Sequence, residues 1–254
     1  MKRHQLIPIF ISLLGFAGVL QAQPTDSLWS IAGEAYAQGR YQEAFDGYKS
    51  IYDKDLESAM LYYNLGNCAF RLQLYAQAII WFERAKLLDP RDVDILYNLE
   101  MANRFCLDKI EAAPEFFLKT WIGEVRDRFS ANQWAWATLL LFATAMLFLL
   151  LFFFGRSRSG RLWAFSGSLF LLLLTMSTFS FGWSRRQQIF TRDYAIVTAP
   201  VASVKSAPDR EGNTLFIIHE GVKVRILDKI GAWGSIELAD RRQGWIEVTL
   251  IERI

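Results

Sequence analysis

Residues 134–154, WAWATLLLFATAMLFLLLFFF, and residues 162–183, LWAFSGSLFLLLLTMSTFSFGW, are two apolar runs on either side of Gly155-Arg156-Ser157-Arg158-Ser159-Gly160-Arg161. Neither run contains a charged side chain. As helices rising 1.5 Å per residue, each is long enough to cross a hydrocarbon core of roughly 30 Å. The pattern predicts two membrane-spanning helices, 134–154 and 162–183, joined by the loop 155–161. A connection that short cannot cross back. The segments before and after the hairpin are therefore expected on one side of a membrane.

Two signals agree on which side. Lys2-Arg3-His4, the apolar run Leu6 to Leu20 and the small residue Ala22 have the layout of an export signal over 1–22. Whether it is cleaved or kept as an anchor is open; either way the following chain is exported. The loop arginines Arg156, Arg158 and Arg161 favour a cytoplasmic loop, although Arg126, Arg128, Arg185 and Arg186 weaken that bias. The localisation expected is the inner membrane, with both soluble parts periplasmic.

The net charge of +2 conceals an asymmetry. Residues 23–113 carry nine Lys and Arg against fourteen Asp and Glu, whereas residues 185–254 carry eleven against nine. Neither part has the basic footprint of a nucleic-acid binder. Only two cysteines occur, Cys68 and Cys106. They could pair in an oxidising compartment, but both fall at periodic positions of predicted helices, which favours buried free thiols.

Residues 23–113 repeat themselves at an offset of thirty-four. Ile31 and Leu65, Ala32 and Gly66, Ala35 and Ala69, Tyr36 and Phe70, Tyr41 and Tyr75, Ala44 and Ala78, and Tyr48 and Phe82 align pairwise, and Asn64-Leu65 continues to Asn98-Leu99. Gly66, Ala78 and Ala85 allow close helix approach, and Pro90 ends a helix. This resembles the tetratricopeptide repeat: a first copy over 25–57, a second over 59–90, and a half copy whose helix is expected through about Asp108. The resemblance implies protein or peptide binding on the face of the first helices, with Trp29, Tyr63, Asn64, Asn67, Arg71, Tyr97, Asn98 and Arg104 as the expected peptide-binding residues. Asn64 and Asn98, one repeat apart, could hold an extended backbone through their amides. They could equally satisfy neighbouring helices.

Residues 114–130 form an amphipathic membrane-proximal segment with Phe116, Phe117, Trp121, Val125 and Phe129 at helical spacing. A helix at the bilayer surface and a helix packed on the last repeat both fit. Ser130 is a natural cap for the first span. Trp134, Trp136, Trp163 and Trp183 stand near span ends, where indole favours the interface.

After Tyr194 the period changes to two, with five or six short strands separated by Pro, Gly and Asp. The motifs Val204-Lys205-Ser206-Ala207-Pro208, His219-Glu220-Gly221, Gly231-Ala232-Trp233 and Asp240 to Ile246 resemble, in their order, a bacterial SH3 domain over 190–254. That implies a small, partly open all-β barrel with Tyr194 and Trp233 at its groove, Trp245 in its core, and peptide or, alternatively, peptidoglycan as ligand. Gly221 and Gly244 fit turns needing positive φ or close approach.

No chemistry is expected. His4 lies in the export signal, which leaves His219 alone. No cysteine cluster, His pair or phosphate loop is present, so neither catalytic residues nor a cofactor or metal is expected. The order of export signal, tetratricopeptide repeats, two-span hairpin and SH3-like module resembles the BatE family, the E protein of the Bacteroides aerotolerance operon. The resemblance implies a place in an inner-membrane complex with von Willebrand A-type membrane proteins and a MoxR-type ATPase, linked to oxidative or envelope stress.

Overall fold

The computed structural model describes residues 24–114, 116–191 and 193–254; the expected export signal at 1–22 lies outside them. Among the described residues, eight α-helices precede a seven-stranded sheet. The repeats supply α1 (Pro24–Ala37), α2 (Tyr41–Tyr52), α3 (Ala59–Arg71), α4 (Tyr75–Leu88) and α5 (Val93–Asn103).

The thirty-four-residue offset is visible in the backbone. Gly39 and Gln73, one period apart, both adopt positive φ, at 77° and 62°. At each, the next N–H bonds back to a helical carbonyl, Arg40 to Ala35 and Leu74 to Ala69, both at 2.9 Å, a left-handed helix stop. Ser58 caps α3 by accepting from the Leu61 N–H, and Asp92 caps α5 through the Asp94 and Ile95 N–H groups. The small residues do what close packing demands: Ala32, Ala35, Ala44, Ala69, Ala78 and Ala85 are fully buried. A Cβ on Gly66 would lie 2.5 Å from the Phe82 ring.

The half repeat ends earlier than expected. α5 stops at Asn103 rather than near Asp108, and residues after it run as irregular chain. Cys106 therefore lies outside the helix. It is half-buried and Cys68 fully buried, and both are free thiols.

α6 (Phe117–Asp127) leads through Phe129 to α7 (Ala131–Phe154). Ser130 caps α7 in a reciprocal box with Gln133. The helix against which α6 packs most is α8 (Arg158–Thr191). α7 and α8 are long and apolar enough to cross a membrane. They are stitched by Ser168 Oγ donating to the Ala145 carbonyl and by a Thr138–Thr178 hydroxyl bond, both 3.1 Å. Trp134 is buried instead of sitting at a lipid-facing end: its ring meets Phe129 and Phe181 edge-on, and its N–H donates to the Arg126 carbonyl at 3.0 Å.

The second apolar run ends at Trp183, yet α8 continues to Thr191. Its 34 residues span roughly 50 Å, more than a hydrocarbon core. The extension reaches the soluble parts, where buried Arg185 donates to the Leu87 carbonyl at the end of α4 and lies 3.6 Å from Asp127. The hairpin is thus joined to the repeats by a continuous helix.

The strands are β1 (Tyr194–Val197), β2 (Val201–Lys205), β3 (Thr214–His219), β4 (Lys223–Ile230), β5 (Trp233–Glu237), β6 (Gln243–Glu247) and β7 (Ile251–Arg253). They form one open sheet in the order β3-β2-β6-β5-β4-β1-β7, with all pairings antiparallel. The sheet has one strand more than expected, and β3 and β7 stand as its edges instead of closing a barrel. Inward residues from all seven strands, among them Val197, Val204, Ile218, Val224, Ile236, Ile246 and Ile251, make one cluster. Trp245, next to Ile246, points out of that cluster.

Ile196 breaks the alternation. Ala195 and Val197 face the sheet's cluster, while Ile196, fully buried between them, joins the core of the repeats together with the C-terminal Ile254. A strand buried on both faces reads as a continuous apolar run. The sheet therefore packs against α4, and polar bonds ring the seam. Arg84 donates to Glu252 Oε1 at 2.9 Å and to the Arg253 carbonyl at 2.7 Å; Lys223 Nζ donates to Glu83 at 2.7 Å. The strap after α5 runs along the sheet, with Asp108 accepting from the His219 N–H at 2.7 Å and Ala113 N–H donating to the Ala239 carbonyl at 2.9 Å. At the tightest point, Gly221 has φ of 88° and a Cβ there would lie 2.3 Å from Cys106 Sγ.

Candidate functional site

The face opposite the seam belongs to the first helices of the repeats. There Tyr36 on α1, Asn67, Phe70 and Arg71 on α3, and Asn98 and Met101 on α5 line a depression of about 180 Å³. Three helices from three successive repeats thus contribute to one groove.

Its floor is a small polar network. The Asn98 amide donates to Asn67 Oδ1 at 2.8 Å and to the Tyr63 hydroxyl at 3.2 Å, tying α5 to α3. The Asn98 carbonyl oxygen and the Asn67 amide nitrogen take no part in these two bonds, which leaves polar capacity on both side chains lining the depression. At the rim, Arg71 donates to the Tyr41 hydroxyl at 2.8 Å and stacks on its ring at 5.0 Å. The guanidinium is exposed but held in place. Partial burial pushes the Tyr36 hydroxyl above the ordinary tyrosine range, the nearby Arg71 charge opposing, so the wall offers a neutral donor.

Of the eight residues expected on this face, the structure brings Asn67, Arg71 and Asn98 to the groove and Tyr63 to its hydrogen-bond network. Trp29 sits elsewhere: its ring packs edge-on against Tyr48 at 5.2 Å, as part of the α1–α2 packing. Asn64 is half-buried outside the network. Tyr97 is 60% exposed, and Arg104, just past α5, pairs with Glu100 at 2.7 Å on its own helix. Of the two asparagines one repeat apart, Asn98 bonds to the neighbouring helix through Asn67 and lines the groove, whereas Asn64 does not line it. The residues missed are Tyr36, Phe70 and Met101. Tyr36 and Phe70 were readable as a pair one period apart, and their offset was the available signal.

On the sheet, Tyr194 and Trp233 do not share a groove. Tyr194 pairs with Arg225 and Trp233 with Ile230 along the same strand β4, which separates them by roughly 17 Å. Tyr194 faces the seam, where Lys223 Nζ lies 5.0 Å from its ring. Trp233 has a different companion. Ser235 pairs with Trp245 and Trp233 with Glu247, so the two indoles are diagonal neighbours on the outer face, roughly 7–8 Å apart at the backbone. Arg210 pairs with Glu247 beside them at 3.2 Å.

The thiols are not activated. Burial pushes Cys68 up to about 12. Burial, with the Glu220 and Asp108 charges adding, pushes Cys106 up to about 11. Thiolate is the reactive form, and these sites disfavour it.

A family model of the tetratricopeptide repeat matches residues 59–92. That stretch holds α3, α4 and the turn into α5, the centre of the groove just described. Repeats of this kind are protein-interaction modules, which is the coarse function the match supports. No curated protein matches the chain.

Proposed function

We propose that the chain is a membrane-anchored, non-enzymatic adaptor. Its repeats take an extended segment of a partner protein along the Tyr36, Asn67, Phe70 and Asn98 groove, and an SH3-like module braces them. α7 and α8 hold both in the bilayer, with the soluble parts in the periplasm. By its resemblance to the BatE family, the partners are membrane proteins of the von Willebrand A type, in an aerotolerance or envelope-stress complex.

The observation that carries this reading is the division of labour on the repeats. α4 is covered by the chain's own sheet, whereas the groove on α1, α3 and α5 is left open with unused amide capacity. Crosslinking in intact membranes tests it. The triple variant Asn67→Ala, Arg71→Ala and Asn98→Ala is expected to lose most partner capture while remaining in the membrane fraction. Capture at the parent level would remove the groove from the mechanism.

A second reading, peptidoglycan binding, is favoured by the Trp233 and Trp245 pair, since two neighbouring indoles make an aromatic platform. The whole detergent-solubilised chain is the right probe, because Ile196 and Ile254 are shared with the repeats. Retention on purified peptidoglycan that is lost in Trp233→Ala would establish it; no retention would dismiss it.

A further inference from the structure

α6 carries a feature the adaptor reading leaves unused. Phe117, Leu118, Trp121, Ile122 and Val125 fall on one face at helical spacing. Phe117 is 73% exposed and Trp121 60%, and Leu118 and Ile122 are exposed beside them. Thr120 and Gly123 lie on the other side. A soluble helix with such a face would ordinarily bury it.

The position of α6 says what covers this face. Its C-terminal end is tied to the mouth of the hairpin by the Trp134 N–H on the Arg126 carbonyl and by the Asp127 carboxylate near Arg185. Only Phe129 separates its cap residue Arg128 from Ser130, where the apolar helix α7 begins. Arg185 and Arg186 follow the end of the other apolar run at Trp183, so they stand at the same level. The helix is thus held where charge-free helix gives way to arginine, and exposed Arg128 and Arg186 offer positive charge there.

We propose that α6 lies in the bilayer interface, with its Phe117, Trp121 and Ile122 face among the acyl chains and with Arg128 and Arg186 at the level of the lipid phosphates. The proposal rests on reading α7 and α8 as membrane spans. An amphipathic helix in this setting gains from apolar burial and from attraction to anionic headgroups together, and arginine can lay its stem along the apolar boundary while its head meets phosphate.

Site-directed spin labelling of the full chain tests this. Cysteines at 117, 121 and 122, at 120 and 123, and at 140 and 170 are introduced one at a time into a Cys68→Ala, Cys106→Ala background. The protein is reconstituted in nanodiscs of phosphatidylethanolamine and phosphatidylglycerol. The ratio of oxygen to nickel-chelate accessibility is expected to be several-fold higher at 117, 121 and 122 than at 120 and 123. Labels at 140 and 170 should report the lipid interior. High nickel-chelate accessibility on both faces of α6, with 140 and 170 in lipid, would overturn this proposal alone. Exclusion of both reagents from 117, 121 and 122 would also overturn it, because the face would then be covered by protein. Water-accessible labels at 140 and 170 would overturn the anchoring itself.

Discussion

The two sides of the repeat module are built from similar residues to opposite ends. On the α4 side the seam has an apolar centre, Ile79, Ile196 and Ile254, a glycine at the closest approach, and the pairs Arg84–Glu252, Glu83–Lys223 and Asp108–His219 across the contact. On the α1, α3 and α5 side the groove has aromatic walls, but its amides bond within the repeats and keep half their capacity. A surface that satisfies itself closes, and one that satisfies only half of its polar groups stays open to a ligand. The seam also answers a difficulty of short repeat arrays, which need their ends capped. Here α5 lacks the second helix of its repeat, and the strap from Arg104 onward and the sheet pack against the module instead. The hairpin, continued by α8 into the Leu87 carbonyl, makes a firm base and not a loose tether.

The most severe way to break this comparison is Gly221→Val. The site has positive φ, which a β-branched residue rarely adopts, and the new side chain would meet Cys106 Sγ and Ile79. Strain and overpacking together should cost about 3 kcal/mol. The expected result is separate unfolding of repeats and sheet in urea, and faster proteolysis of each module than in the parent. Unfolding in one transition at the parent midpoint would mean that the seam is not what joins the modules.

Alkali should loosen the seam more gently. Cys106 has its pKa raised from the ordinary 9 to about 11. Below pH 9 the thiol is protonated in folded and unfolded chains, and the contribution of the neutral buried form is intact. Between pH 9 and 11 the unfolded chain releases this proton and the folded chain keeps it, so stability falls as pH rises, by on the order of 2 kcal/mol. Urea midpoints at pH 8 and pH 11, compared between the parent and Cys106→Ala, isolate this contribution. An equal fall in both would show that the thiol is not confined in the seam.

How much of this was legible follows from the distance between partners. The alanines and glycines of α1 to α4 repeat within thirty-four residues, and local spacing reported the helix pairs well. Asp108 and His219 are 111 residues apart and Glu83 and Lys223 are 140 apart, and no local pattern marks either pair. The run Ala195-Ile196-Val197 did carry a trace of the seam, because three successive apolar residues in a strand leave no solvent face. Trp29 and Trp245 show the other limit. An aromatic at a periodic position can fill a core, line a groove or lie on an outer sheet face, and only the neighbouring element decides. At the groove, residue types were readable while the pairing was not: Asn98 meets Asn67 on the adjacent helix, a choice made by helix packing and not by the repeat offset.

The smallest effect lies in that pairing, and it sharpens the contrast between the two sides. Asn98→Ala removes two hydrogen bonds at a half-buried site and should lower stability by about 1 kcal/mol. Asn67→Ala removes one of the same bonds, so the double variant should cost less than the sum of the two. Stability alone cannot separate a structural amide from a binding one, whereas Asn98→Asp can. The carboxylate keeps the size of the side chain but donates nothing, so the Asn67 amide must turn over to donate to it and is no longer left unbonded. Joined with Asn67→Asp it would place two acceptors together and lose the network. A compensating Asn67→Lys beside Asn98→Asp restores a donor across the same gap. Urea midpoints should recover toward the parent in that pair, while crosslinking to the partner stays low because the amide capacity facing the groove is gone. Recovery of both would mean that the asparagines only brace α3 against α5, and that the ligand is held by Tyr36, Phe70 and Arg71 alone.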